Sequence, residues 1–153
     1  EGATFERLDA RHLPFDGEFD AVICLCQGAF GLMTAAGDDE LVLRSIARAL
    51  PAGGRLALSA FNAYFSVKYQ DDADFDADRG IAHEHTELRN EQGDVRAAEL
   101  WTACYTPREL RLLARACGLR VDAVWGVMPG DYRALVPSTL TPEHLLIATK
   151  NGS

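Results

Sequence analysis

Phe19-Asp20-Ala21-Val22-Ile23-Cys24-Leu25-Cys26 and, further along, Arg55-Leu56-Ala57-Leu58-Ser59-Ala60-Phe61 are the stretches whose reading decides the fold. The first is nearly all apolar and does not alternate. A strand without a polar side is covered on both faces, the mark of a central parallel strand. Between the two, Asp38 reads as a helix N-cap, with acids at 39 and 40 in the first turn, where the helix dipole favours them. Leu41, Val42, Ser45, Ile46 and Ala49 keep a helical stripe. Pro51-Ala52-Gly53-Gly54 then stops the helix and turns the chain. Strand, helix, glycine turn and strand make a βαβ unit with a right-handed crossover. The reading therefore predicts that 20–26 and 55–61 lie side by side and parallel.

Working outward, Ala3-Thr4-Phe5-Glu6-Arg7-Leu8-Asp9 alternates and reads as a short strand, followed by a loop to Pro14 and Gly17. Residues 62–105 form a distinct insert. Asp71, Asp72, Asp74, Asp76 and Asp78 make an acidic run, and 81–88 and 95–105 flank Asn90-Glu91-Gln92-Gly93-Asp94 as a hairpin. Asp74, Asp76 and Asp78 imitate a calcium loop, but Arg79 stands where that loop needs Gly and His85 where it needs Glu, so a solvated loop is the reading. Thr106-Pro107-Arg108-Glu109 is a capping box that opens a helix, with Leu110, Leu113, Ala114 and Cys117 as its buried stripe and Gly118 as its terminator. Residues 119–127 and 144–150 read as strands.

The 153 residues carry 15 Lys+Arg against 23 Asp+Glu, a net charge of −8; 48% are hydrophobic and 25% charged, the balance of a soluble globular chain. One domain, 1–153, fits that length. The acidic balance argues against nucleic acid as a partner, since phosphate binding draws on clustered Lys and Arg. The longest apolar run, Ala21 to Cys26, is far short of the ~20 residues that span a membrane. The first residues, Glu1-Gly2-Ala3-Thr4, lack a basic region and an apolar core, so no secretory signal is visible. Cys24, Cys26, Cys104 and Cys117 have neither bridging nor zinc spacing and read as reduced, largely buried thiols of a cytoplasmic protein.

The order of elements and several short words resemble the second half of a class I S-adenosylmethionine-dependent methyltransferase. Leu8-Asp9-Ala10 through Leu13-Pro14-Phe15 resembles the loop after that family's third strand. Phe19-Asp20-Ala21-Val22 resembles the opening of its fourth, and Ala49-Leu50-Pro51-Ala52-Gly53-Gly54-Arg55-Leu56 the turn into its fifth. Tyr105-Thr106-Pro107-Arg108-Glu109-Leu110 with Ala116-Cys117-Gly118-Leu119 is similar to its last helix. The resemblance implies an α/β, Rossmann-like but incomplete sheet, strands three to seven, with an inserted hairpin between the fifth strand and the last helix. It departs from the family in lacking the glycine-rich loop after the first strand and the ribose-binding acid after the second. Gly28-Ala29-Phe30-Gly31 is wrongly placed to serve as that loop. Glu1 in place of Met suggests a piece of a longer protein. The expectation is that 1–153 is not an autonomous enzyme, and that a missing segment or a second copy covers the bared edge of strand 21–26, giving a possible homodimer.

The resemblance implies S-adenosylmethionine as cofactor and a small-molecule methyl acceptor, with O or N as the acceptor atom. Asp9 would accept from the adenine amino group and the Ala10 backbone N–H would meet a ring nitrogen; the alternative is that Asp9 makes an Asx turn. Arg11, His12 and Leu13 flank the adenine or form a solvated loop. Cys26, Gln27 and Gly28, at the tip of the fourth strand, would line the methionyl side, where ligands of open α/β sheets sit. Acceptor contacts would come from Phe30, Phe61, Asn62 and Tyr64 and from the insert 62–105 acting as a lid, or these aromatics pack beneath it. His83 and His85 share a strand face and are candidates for a general base; a metal pair is conceivable, but no third ligand is evident. The other reading is a non-catalytic module of the same fold, acting by dimerisation or partner binding. Nucleic-acid amino-methyltransferase chemistry is disfavoured by the charge and by Cys26-Gln27-Gly28-Ala29 where an Asn/Asp/Ser-Pro-Pro-Tyr/Phe signature would stand.

Overall fold

The computed structural model describes residues 2–26, 29–33, 38–69 and 74–152. In chain order the elements are β1 (Ala21–Cys24), β2 (Leu32–Met33), α1 (Asp39–Ala49), β3 (Arg55–Asn62), α2 (Ala63–Tyr69), β4 (Asp74–Asp76), β5 (Ile81–Arg89), β6 (Val95–Tyr105), α3 (Pro107–Ala116), β7 (Leu119–Met128), β8 (Asp131–Leu135) and β9 (Glu143–Lys150). The strands run in the order β4-β5-β6-β3-β9-β7-β8, with β1 beside β3 and β2 beside β6.

The βαβ reading is correct. β1 and β3 are parallel, with Ala21 opposite Arg55 and Cys24 opposite Leu58. Gly53, at φ +83°, takes a conformation that L side chains avoid. Gly54 N–H donates to the Pro51 carbonyl at 2.9 Å, and a Cβ at Gly54 would meet that oxygen at 3.0 Å. β9 then inserts antiparallel between β3 and β7, with Ala57 and Ala123 both opposite Ile147. β3 and β7 therefore point the same way with a reversed strand between them.

One apolar core lies between the helices and one face of this sheet. Val42, Leu43, Ile46 and Ala47 of α1 and Leu110 and Ala114 of α3 pack with Leu56, Leu58, Ala60, Leu146 and Ala148. Each large side chain so enclosed contributes roughly 1.5–3 kcal/mol. α3 starts as its sequence dictates: Thr106 Oγ1 accepts from Glu109 N–H at 3.2 Å, and Glu109 Oε2 accepts from Thr106 N–H at 2.6 Å. No helix among the described residues is long and apolar enough to cross a membrane.

Four sequence readings are corrected. Residues 3–9 form no strand: the segment is exposed, Phe5 at 93%, and has no ladder partner among the described residues. β1 is not covered on both sides. It is an edge strand that turns Val22 and Cys24 toward the core and leaves Ile23 74% exposed. The N-cap at Asp38 is correctly positioned, but its side chain makes no capping bond and instead lies 3.5 Å from Arg11. Of the thiols, Cys104 and Cys117 are buried, whereas Cys26 is exposed.

The insert 62–105 is more structured than its sequence suggests. It adds α2, and β4 pairs with β5 so that Asp74 stands opposite His83. Asp76 folds its carboxylate over the following turn, accepting from Asp78 and Arg79 N–H at 3.1 Å each, which is the work of a turn residue and not of a calcium ligand. Asp71 and Asp72 lie outside the described residues.

Candidate functional site

The carboxyl ends of β1 and β3 meet the start of β9 to form a crest. Cys26, two residues past β1, sits at φ +57°, a left-handed conformation that costs a non-glycine residue about 1–2 kcal/mol. Its Sγ lies 3.6 Å from the Tyr132 hydroxyl of β8. That hydrogen bond, with some desolvation, pushes the phenol up to about 12. Glu143 is opposite Phe61 in register, is buried, and leaves Oε2 without a partner among the described residues. A thiol, a phenol and a carboxylate therefore occupy the crest beyond the strand ends, where open α/β sheets place ligands. Tyr132 and Glu143 were missed in the sequence, because β8 alternates weakly and Glu143 follows a Thr-Pro pair that imitates a helix start. Gln27 and Gly28 lie outside the described residues.

On the other flank, Asp9 caps a single 3₁₀ turn, Ala10–His12. Its Oδ1 accepts from Arg11 N–H at 3.0 Å, so the Asx turn is present. Arg11 also grips the carboxylate side-on, Nε to Oδ1 at 2.9 Å and Nη2 to Oδ2 at 2.7 Å. These bonds hold the Asp9 carboxyl well below the usual carboxylate range. The loop then docks on α1: Leu13 N–H donates to Ser45 Oγ at 2.8 Å, and the Leu13 carbonyl accepts from Arg48. Asp9 and Ala10 thus stand on a braced turn.

The four residues considered for acceptor contact divide into two kinds. Phe30 is wholly buried and stacks on Tyr105 with centroids 5.1 Å apart, so in this chain it belongs to the core. Asn62 is equally buried: its Nδ2 donates to the Ser138 and Thr141 carbonyls at 2.7 Å each, and its Oδ1 accepts from Tyr64 N–H. Both amide hydrogens and one lone pair of the oxygen are spent on the backbone. Phe61 is half-buried and Tyr64 is exposed, and these two present surface.

His83 and His85 lie on β5, away from the strand ends. His83 stacks on Trp101 at 4.6 Å with the rings 3° from parallel, and Glu99 lies within 4 Å of both imidazoles. Two adjoining hollows border this part of the hairpin. One, about 400 Å³, is lined by Asp74, Asp76, His83 and Trp101; the other, about 370 Å³, by Asp39, Tyr105 and Glu109. Arg79 and Ile81 line both.

No protein-family profile matches the sequence, and no curated protein does either. Solved structures do. The CcbJ methyltransferase from Streptomyces caelestis is similar at 16% identity with a TM-score of 0.69, over 94% of this chain and 62% of its own. An S-adenosylmethionine-dependent methyltransferase from Clostridium acetobutylicum aligns at 13% identity and TM-score 0.66, over 95% of this chain and 63% of its own. An amino pentose methyltransferase from Micromonospora echinaspora, solved with S-adenosylmethionine, aligns at 21% identity and TM-score 0.56, over 94% and 63%. The chain spans a little under two thirds of the length of these proteins, and it shares their fold.

Proposed function

We propose that this chain, whose fold is that of the class I S-adenosylmethionine-dependent methyltransferases, supplies the carboxyl-terminal part of an enzyme that methylates a small-molecule O or N acceptor. The observation that carries the proposal is the sheet itself: β1 and β3 parallel and in register, then the reversed β9 before β7. In that frame the crest at Cys26 and the turn at Asp9 face the same cofactor from two sides. Asp9 and the Ala10 N–H would hold adenine; Cys26, Gln27 and Gly28 would line the methionyl chain. An adenine amino group would share the Asp9 carboxylate with the Arg11 guanidinium, which already donates to both oxygens.

The cofactor brings both the methyl group and its leaving group. What the protein supplies is position, desolvation and, for a hydroxyl or ammonium acceptor, removal of a proton. Phe61 and Tyr64 would flank the acceptor and the insert 62–105 would act as a lid over it. The reading is tested by calorimetry with S-adenosylhomocysteine on the protein carrying its upstream coding sequence. Saturable binding is expected, weakened about tenfold or more by Asp9→Ala through the lost adenine contact. Unchanged affinity in that variant removes Asp9 from the site, and no binding at all removes the cofactor assignment.

A second reading rests on Ile23. An apolar side chain 74% exposed on an edge strand invites pairing with another chain. In a non-catalytic module that edge would join two copies. Light scattering decides it: a dimer of 1–153 that Ile23→Lys turns into a monomer supports this reading, and a monomeric parent protein removes it.

A further inference from the structure

We propose that His83, His85 and Glu99 form a binding site for one divalent transition-metal ion, with Zn²⁺ the ion their chemistry suits best. The site follows from the ladder. β5 and β6 pair antiparallel with His85 opposite Glu99 and His83 opposite Trp101. Residues two apart on a strand share a face, and so do directly opposed residues of neighbouring strands. Two imidazoles and one carboxylate consequently project from the same side of the hairpin. The third ligand that the spacing of the histidines could not reveal is supplied by the register.

The distances agree. Nε2 of His83 lies 3.7 Å from Oε2 of Glu99, and Nδ1 of His85 lies 3.8 Å from Oε1. One donor atom from each of the three residues lies within 4.8 Å of the others. These separations exceed a hydrogen bond. They exceed by only about 0.5–1.5 Å the roughly 3.3 Å between donors of a tetrahedral zinc bound at ~2.0–2.1 Å, a gap that side-chain torsions close.

An independent observation points the same way. Nε2 of His83 is enclosed and has no hydrogen-bond partner among the described residues. Leaving such a nitrogen unsatisfied is unfavourable, and an ion would satisfy it. Stacking on Trp101 at 4.6 Å already fixes the ring plane that coordination needs. Ion pairing alone is a poorer account of the cluster, because 3.7 and 3.8 Å are well beyond a charge-assisted hydrogen bond. Two imidazole nitrogens and one carboxylate oxygen suit zinc, whereas magnesium and calcium favour oxygen sets. Three protein ligands leave a fourth position for water or an acceptor heteroatom. Asp74, opposite His83 on β4 and lining the same hollow as His83, is a further carboxylate on this face. This inference does not depend on methyl transfer.

The test is titration of metal-free protein with Co²⁺, read by visible d–d absorption, followed by Zn²⁺ displacement and calorimetry. One equivalent of Co²⁺ with a tetrahedral spectrum, displaced by Zn²⁺, is expected. His85→Asn and Glu99→Gln should each weaken Zn²⁺ binding at least tenfold, while His12→Asn leaves it within about twofold. His85 is the cleanest variant, because its side chain is 79% exposed and little packing is lost with it. Zn²⁺ should also raise the melting temperature of the parent and not of His85→Asn. Binding weaker than about 10⁻⁴ M, or binding that His85→Asn and Glu99→Gln leave unchanged, overturns the site.

Discussion

The Tyr105 hydroxyl donates to the Asp39 carboxylate at 2.5 Å, tying the last residue of β6 to the first turn of α1. Phe30 stacks on the other side of that ring. Burial first, and then the neighbouring Asp39 charge, hold the phenol far above its ordinary range, so it donates at every working pH. Tyr105→Phe should cost about 1.5–3 kcal/mol in urea unfolding, the worth of a hydrogen bond to a charged partner. A double-mutant cycle with Asp39→Asn should show coupling of about 1 kcal/mol or more; strictly additive losses would mean that the bond contributes nothing.

Asn62 joins the end of β3 to the segment before β9. Asn62→Ala leaves the Thr141 carbonyl without its donor and the Tyr64 N–H without its acceptor, and leaves the Ser138 carbonyl with the Thr141 hydroxyl alone. We expect a loss of about 2–4 kcal/mol and earlier hydrogen exchange at residues 63–64, checked by denaturation and exchange mass spectrometry. Stability within 0.5 kcal/mol of the parent would show that water replaces the side chain, as the ~1 kcal/mol net worth of a single bond allows.

Gly126 lies where β7 passes Thr141. A Cβ there would come within 2.6 Å of Thr141 Oγ1 and 3.0 Å of its Cγ2. Gly126→Ala should therefore destabilise by about 1–3 kcal/mol through overpacking. Combined with Thr141→Ala, which removes the two nearest atoms and leaves only its Cβ at 3.1 Å, it should cost less than the sum of the single changes. Additivity of the pair would refute the clash.

His144 is fully buried on β9, and burial draws its pKa from 6.5 down to about 4. The Tyr105 carbonyl pulls the other way but lies outside hydrogen-bond geometry, so neither ring nitrogen has a partner among the described residues. The unfolded chain binds the proton more readily, so stability rises with pH across the window between these values. It is complete above about 6.5 and declines as the pH falls toward 4, by about 3 kcal/mol at most, at ~1.4 kcal/mol per pH unit. Thermal melts of His144→Leu should lose that slope and exceed the parent at pH 5. An unchanged slope would assign it to other groups.

Much of this was legible because the deciding signals are local. The parallel pair β1 and β3, the capping box at Thr106 and both arms of the hairpin follow from apolar runs and turn residues. What escaped was set by partners distant in sequence. Ile23 reads as core because its neighbours are apolar, but among the described residues its side of β1 is left largely open. Asp38 reads as a cap, yet Arg11 draws its carboxylate away. Glu99 is one acid among many until the register sets it across from His85. Phe30 and Asn62 stand beside the strand ends in sequence, and only packing shows that both are spent on the scaffold.

The long arm formed by β5 and β6 is rooted in the main sheet through Phe61 opposite Cys104 and Asn62 opposite Tyr105. Its tip, at Gly93, has open space around it. Among the described residues its partners, β2, β3 and β4, all pair near its base, so the arm can grow or shrink at the tip without disturbing what it grows from. Because side chains alternate with a period of two, lengthening each limb in even steps preserves which residues look inward, whereas an odd insertion turns the whole limb inside out. Related sequences that vary here should do so by pairs, a route by which one scaffold can reach over acceptors of different size.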